Sequence, residues 1–489
     1  MQLVLALDAG TTGVRTVAFG PDLAVIEENY RELTQYYPSP GEVEHDPREI
    51  ADLAVATLRQ VAASVRRDGH DIVALGLTNQ RETTVGFDRD NGAAFHRAIV
   101  WQDRRTALIC QELEAHGHGP RVREVTGLVL DSYFSGTKMK WMLERGLADG
   151  AASPSFATID TWLIWRLSGG VEGGAFVTEP SNASRTLLLD LESLEWSSEM
   201  MTLLGVSRNM LADVRPSAST FAVVSDLVPE LAGVPITGVL GDQQSALFGQ
   251  ACFTPGLVKA TYGTGAFILA NTGDTIPPVV DGLITTVAWD LGAFGPTNYA
   301  LEGSAFVAGA AVQWLRDLGF IEESSDLEAL ATSVDNSAGV QFIPAFTGLG
   351  SPFWRPDARG AITGISRGVG KGEIARALVE ALAYQVRAMT DAFRHGGVEL
   401  KEVRCDGGAA AMDLLLQLQA TNSRVDVVRS ATLEATARGA ASIAGLQSGL
   451  WTSLDDLAEL WQSQRRFVPD DPRFVDPGYD AWRAALQRV

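Results

Sequence analysis

Apolar and polar positions along this chain come in blocks. Leu3 to Leu7 is an unbroken apolar run that ends on Asp8, then Ala9-Gly10-Thr11-Thr12-Gly13, then Val14 to Phe19. That order predicts a strand, a tight turn and a second strand. It returns in the second half, where Leu257 to Tyr262 leads through Gly263-Thr264-Gly265 into Ala266 to Ala270. Two such hairpins, one near the start of each half, point to related domains in tandem, expected at 1–239 and 240–489. Further strands are expected at Ile72–Leu77, Ile236–Leu240 and Val403–Cys405, each followed by polar residues. Ile374, Leu378, Leu382 and Val386 recur at every fourth position and predict a long helix over 373–393. Strand, turn and helix in repetition predict an α/β fold.

Composition narrows the partners. The 489 residues carry 39 Lys and Arg against 60 Asp and Glu, a formal charge of −21. Such acidity disfavours a nucleic-acid partner, whose phosphates need clustered cations. It leaves room for a nucleotide held by a few local donors. No apolar run is long enough to span a bilayer, so no membrane partner is expected. Cys110, Cys252 and Cys405 are scattered and form no C-x-x-C pair, which argues against a disulfide framework and for a reducing compartment. The apolar N-terminus lacks basic residues ahead of Asp8, so no signal peptide is expected and the protein reads as cytoplasmic.

Three Gly/Thr-rich loops follow strands, at 10–13, 263–265 and 406–408. Loops of this kind turn backbone N–H groups toward one spot, which suits phosphate oxygens. The chain contains neither G-x-x-x-x-G-K-[ST] nor an N-terminal G-x-G-x-x-G, so the loops suggest a nucleotide in a cleft between domains by another route. Asp8 and Asp242 both end apolar strands, where ligands gather in α/β sheets. One carboxylate would hold Mg²⁺, directly or through water, and the other would accept a proton from a hydroxyl, with Arg15 neutralising phosphate. The plainer readings stay open: Asp8 as a hairpin turn former, Asp242 as the N-cap of a helix over 243–249. Arg81 and Glu82 are neighbours just after a strand, where adjacent side chains face opposite ways. They read as donor and acceptor in a polyol pocket, or as solvated loop charges. Trp101 reads as core, with a sugar platform as the alternative, and Tyr133 and Phe267 default to core. His45 has no second histidine at metal spacing and reads as structural.

Taken together the motifs resemble the FGGY carbohydrate kinases, and within them the branch that phosphorylates glycerol. The resemblance runs from Leu5 to about Pro469. It rests on Asp8 to Arg15, Tyr36-Tyr37-Pro38 with Gly41 to Pro47, Thr78 to Thr84, Val100 to Arg105, Tyr133 to Lys138, Asn182 to Thr186, Gly241 to Gln244, and Phe346 to Pro352 with Ala358 to Ala361. It implies two actin-like, ribonuclease-H-type ATPase domains with an interdomain catalytic cleft. The implied reaction is ATP plus glycerol to sn-glycerol 3-phosphate and ADP, with Mg²⁺. By the same resemblance Arg81, Glu82, Tyr133, Asp242 and Gln243 bind glycerol hydroxyls, and Trp101 and Phe267 cover its C–H edge. Asp242 is the implied base and Asp8 the Mg²⁺ residue. Thr11, Thr12, Gly13, Arg15 and Thr264 would meet the phosphates. Gly309, Gln313, Gly408 and Asp413 would line the rest of the nucleotide site. A homodimer or homotetramer is implied as well.

The chemistry agrees with that reading. An uncharged triol must be held by converging directional hydrogen bonds, and those to charged groups are the strong kind. A primary alcohol is a poor nucleophile at neutral pH, and a placed carboxylate helps as its proton leaves. A kinase for another small polyol or sugar, such as a tetritol, and a non-catalytic actin-like nucleotide-binding protein are the rival readings. Arg81, Glu82, Trp101 and Phe267 favour glycerol over the first, and the paired Asp8 and Asp242 oppose the second. The chain departs from the family pattern at Ala9 (usually Gln), at Gly13-Val14 (often Ser-Ser) and at Asp413 (usually Asn). Leu231 to Pro235 lacks the arginine of feedback-inhibited members, which implies no inhibition by fructose 1,6-bisphosphate there.

Overall fold

The structure is a computed structural model that describes every residue except Leu433. The first sheet is built from β1 (Gln2–Ala9), β2 (Gly13–Phe19), β3 (Val25–Glu32), β4 (Asp71–Asn79), β5 (Ala218–Val223) and β6 (Pro235–Gly241), in the spatial order β5-β6-β4-β1-β2-β3. The second comprises β7 (Leu257–Tyr262), β8 (Ala266–Gly273), β9 (Ile284–Trp289), β10 (Asn298–Ala305), β11 (Glu402–Asp406), β12 (Asp426–Ser430) and β13 (Ser463–Phe467), in the order β9-β10-β8-β7-β11-β12-β13. In the first sheet β3-β2-β1 run antiparallel, β4 and β6 continue parallel to β1, and β5 closes antiparallel. The second repeats the scheme with β10-β8-β7, then β11 and β12, then β13. These are the two ribonuclease-H-type domains, and β9 is the extra strand of the second sheet. The expected division between residues 239 and 240 falls inside β6.

The burial of β1 explains its apolar run. Leu3 to Leu7 are fully buried because both faces of the sheet are covered, and Asp8 emerges partly at the open end. One face carries α1 (Pro47–Arg67), which buries Ile50, Ala54, Leu58, Val61 and Val65 along one stripe. Proline at its first turn and Asp46, whose carboxylate accepts the Arg48 N–H at 2.8 Å, start that helix.

Four further helices bear on the site: α2 (Asp242–Gly249), α3 (Gly309–Asp317), α4 (Lys371–His395), which is the helix expected over 373–393, and α5 (Ala435–Ser448). Although α5 follows the second sheet's β12, it lies on the first sheet. A Cβ on Gly76 of β4 would stand 2.1 Å from the Ala440 carbonyl, and one on Gly238 of β6 would stand 2.5 Å from the Ala444 nitrogen. α2 crosses α5 as closely: a Cβ on Gly439 would lie 1.8 Å from the Ser245 carbonyl oxygen. The two lobes are therefore stitched through a pair of small-residue helices. No described helix is long and apolar enough to cross a membrane. The three cysteines are buried and unbonded.

Candidate active site

Each hairpin turn is closed by a glycine N–H, over four residues in the first and three in the second. In the first, the Gly10 N–H donates to the Gly13 carbonyl, and in the second the Gly263 N–H donates to that of Gly265, both at 2.9 Å. The first turn is held from outside: the Thr11 carbonyl accepts from Gln35 Nε2 at 2.7 Å, and the Thr12 carbonyl from the Leu33 N–H at 3.0 Å. Gly13 sits beneath Tyr30, whose hydroxyl would be 2.4 Å from a Cβ there, so a larger residue requires that ring to move.

Asp8 and Arg15 are register partners across β1 and β2, with 3.9 Å between carboxylate and guanidinium. Arg15 also pairs with Glu434 just before α5. Burial pushes the Asp8 carboxyl up to about 7; Arg15 lowers it, while Asp242 and Glu434 raise it further. A carboxylate so crowded by negative neighbours is suited to sit beside a cation. Among the described residues no three metal-ligating side chains cluster. Mg²⁺ is commonly held by one or two carboxylates together with substrate phosphates and water, a role Asp8 could fill.

Asp242 is the first residue of α2, and the N-cap is Gly241, so the N-cap alternative is not how it sits. Its carboxylate accepts the Gln243 N–H at 2.7 Å and stands 3.2 Å from Arg81 Nε. Its side chain is 27% exposed, whereas that of Arg81 is 2% exposed. Asp242 is thus the accessible carboxylate and Arg81 the buried cation that aims it.

Arg81 and Glu82 differ from the expectation of opposite-facing neighbours. Glu82 adopts φ of 61°, a left-handed conformation that costs a non-glycine residue about 1–3 kcal/mol. The turn gathers both side chains into one buried network, 3.8 Å apart, which excludes the solvated-loop alternative. Arg81 Nη1 donates to Glu302 at 2.6 Å and to Gln244 at 3.1 Å, and Nη2 donates to Glu302 at 3.0 Å and to the Tyr133 hydroxyl at 3.4 Å. Glu82 accepts from Arg185 Nε at 2.6 Å. The Glu82 main-chain oxygen accepts from Ser135 Oγ at 2.9 Å and from Lys138 Nζ at 3.2 Å, which fixes the strained turn. Burial holds the Lys138 ammonium down at about 7. Glu302 and Arg185 carried no assigned role in the sequence reading. The available signal was a glutamate inside the apolar strand Asn298–Ala305, a placement that demands a paired cation.

Trp101 and Phe267 are partly exposed rather than core residues, and Tyr133 is buried behind them. The Trp101 ring meets Tyr133 edge-on at 5.7 Å and Phe267 at 6.0 Å, forming an aromatic wall. Trp101 Nε1 also donates to Thr11 Oγ1 at 2.9 Å, joining that wall to the first glycine turn. Gln243 is tied back, its side-chain oxygen accepting from the buried Lys259 ammonium. Burial lowers that ammonium to about 8.

A cavity of about 810 Å³ opens in the second lobe, and Thr264, Gly309, Gln313 and Gly408 all line it. α3 begins at its wall, where a Cβ on Gly309 would come within 2.6 Å of the Gly263 carbonyl. Asp413 is not among the lining residues. Its carboxylate is held by Arg429 at 2.6 Å and by Arg465. None of the residues of the first glycine turn lines this cavity. His45 is buried between Gln35 and Gln80, at 2.8 and 3.2 Å, as a structural residue.

Comparison with known proteins places the whole chain. Residues 3–249 match the N-terminal domain of the FGGY family of carbohydrate kinases, and residues 258–448 match its C-terminal domain. The glycerol kinase of Acidovorax ebreus is 48% identical over 485 residues, covering 97% of this chain and 96% of that protein. That of Geobacillus kaustophilus is 46% identical, covering 99% and 98%. Among solved structures, Plasmodium falciparum glycerol kinase with ADP superposes with a TM-score of 0.92 at 33% identity, covering 100% of this chain and 98% of that one. A gluconate kinase from Lactobacillus acidophilus, at 20% identity and a TM-score of 0.88, shares the fold.

Proposed function

The chain belongs to the FGGY family of carbohydrate kinases, and from that membership we propose that it transfers the γ-phosphoryl group of ATP to a primary hydroxyl of glycerol, giving sn-glycerol 3-phosphate. One observation carries the mechanism. Asp242 is a partly exposed carboxylate beside the Arg81–Glu82 turn, aimed by the Gln243 N–H and the Arg81 guanidinium.

Glycerol would lie against Trp101 and Phe267, with its hydroxyls toward Asp242, Gln243, Tyr133 and the Arg81–Glu82 turn. Asp242 accepts the proton of the attacking hydroxyl as the new P–O bond forms. The nucleotide would occupy the cavity lined by Thr264, Gly309, Gln313 and Gly408, its phosphates reaching toward Thr11, Thr12, Gly13 and Arg15 across the gap. Asp413 would support the nucleotide site only indirectly, through Arg429, which also donates to the Ala411 carbonyl at the cavity wall. Asp8 would hold Mg²⁺, which neutralises charge on the transferring phosphoryl group. Closing of the lobes over the substrate would exclude water, which competes as acceptor. The same reading divides the chain into a polyol-binding N-terminal domain and a nucleotide-binding C-terminal domain. It places the enzyme in the cytoplasm as a homodimer or homotetramer.

ADP release measured with glycerol, erythritol, xylulose and gluconate tests the proposal. Saturable ADP release with glycerol well above the other three is expected. Release that ignores glycerol, or favours another acceptor, would overturn it.

A further inference from the structure

Behind Asp242 lies a run of buried charges. Five charged side chains alternate there: Asp242, Arg81, Glu302, Arg185 and Glu82. Arg81 and Glu82 belong to the first lobe, on the turn after β4. Glu302 belongs to the second lobe, in the middle of β10. Arg185 comes from the first lobe, just after the short helix Pro180–Ala183. Glu302 Oε1 accepts from Arg81 at 3.0 Å and from Arg185 at 3.1 Å, and its Oε2 accepts from Arg81 at 2.6 Å. Apart from Asp242 the members are almost wholly buried.

Burying this many charges is costly, and replacing such a group by apolar residues commonly leaves stability unchanged or improves it. A role in stability therefore explains the network poorly, whereas a role in placement explains its geometry. The forked grip of Glu302 on Arg81 fixes the plane of the guanidinium. That plane decides where Nε points, and Nε is the atom facing Asp242. The grip also crosses from one lobe to the other, so the arginine is set correctly only when the lobes are seated together. The two guanidiniums hold the Glu302 carboxyl down at about 2 against the effect of its burial, so it stays an anion.

We propose that Glu302, braced by Arg185, is a positioning residue that couples lobe seating to catalysis by aiming Arg81 at the Asp242 carboxylate. This rests on the kinase reading above.

The test compares the full-length wild type with Glu302→Gln and Arg185→Lys. Measured quantities are kcat and KM for glycerol, nucleotide affinity by direct titration, and the thermal unfolding midpoint. Glu302→Gln is expected to lower kcat/KM for glycerol by about a hundredfold, the scale of a misplaced reacting group, and to leave ADP affinity unchanged. Arg185→Lys should lower it less, because lysine keeps the charge and loses the fork. Wild-type kcat/KM in Glu302→Gln, or equal losses for glycerol and nucleotide, would overturn the proposal. Should Glu302→Gln fail to fold, the same split in Arg185→Lys decides. If the wild type itself ignores glycerol, the kinase reading falls separately. The positioning role is then judged by hydrogen exchange over residues 79–84, where faster exchange in the variant supports it and an unchanged rate overturns it.

Discussion

At the scale of single residues, the site separates charge that is used from charge that holds. Asp242 is reachable, while Arg81 is enclosed by acceptors, so their pairing orients the carboxylate without burying it. Asp242→Asn keeps an oxygen for the Gln243 N–H, and Arg81 stays neutralised by Glu302 and Glu82. The variant is therefore expected to fold and bind glycerol, with kcat lower by about two orders of magnitude or more; near-normal turnover would remove Asp242 as the base. Trp101 has two jobs, ring packing and the N–H donated to Thr11. Trp101→Phe keeps the first and removes the second, so steady-state kinetics should show the KM for ATP rising more than that for glycerol. His45 gives a pH dependence. Burial pushes its imidazole from the ordinary 6.5 to about 4, so the unfolded chain binds a proton that the folded one refuses. Stability is complete above pH 6.5 and falls as the pH drops toward 4, by about 3 kcal/mol at the limit. Melting curves of His45→Gln, followed across that window, should lack this share of the acid loss.

At the scale of elements, what was legible in the sequence is what short segments decide alone. The paired hairpins, the apolar β1 ending on Asp8, and the long helix over Lys371–His395 follow from local pattern, and the structure contains them. For Glu302 only the need for a cation was legible, from an acid inside the apolar β10; which cations meet it was not, because Arg81 and Arg185 are far away in sequence. Glu82 was misjudged in direction because a left-handed residue breaks strand alternation. The seat of α5 on the other lobe's sheet was equally hidden, since a helix with a small-residue surface shows little periodic pattern. That seat makes a prediction. A Cβ on Gly439 would meet the Ser245 carbonyl, a backbone atom that cannot swing aside as a side chain would. Gly439→Ala should force α2 and α5 apart and cost about 1–3 kcal/mol, despite alanine's better helix propensity. Urea unfolding would show it, and an unchanged midpoint would mean that the crossing is looser than the contact implies.

At the scale of the whole molecule, the two ligands make different demands. The cavity that would take the nucleotide is lined entirely from the second half of the chain, between Tyr262 and Met412. The glycerol side draws on both lobes, with Arg81, Trp101 and Tyr133 from one and Phe267 and Glu302 from the other. Of the nucleotide only the phosphates would reach the first lobe, so lobe seating should govern the alcohol more than ADP. The extra strand β9 serves as a rail for that seating. The Gly127 carbonyl accepts the Thr285 N–H at 3.0 Å, and Ser184 and Thr286 hydroxyls meet at 3.0 Å. Beside it Arg123, on the helix Gly119–Thr126, reaches across to the Val280 and Leu283 carbonyls and to Asp281 at 3.3 Å. Asp281 is fully exposed, so its share is screened by salt and small. The carbonyl bonds to a charged donor are the larger part. Arg123→Ala should raise the KM for glycerol and leave ADP affinity unchanged, whereas Asp281→Ala should do neither. Raising the salt concentration should reproduce the second variant and not the first. Equal effects of both substitutions would assign the latch to the surface ion pair, and a loss of ADP affinity in Arg123→Ala would tie nucleotide binding to lobe seating after all.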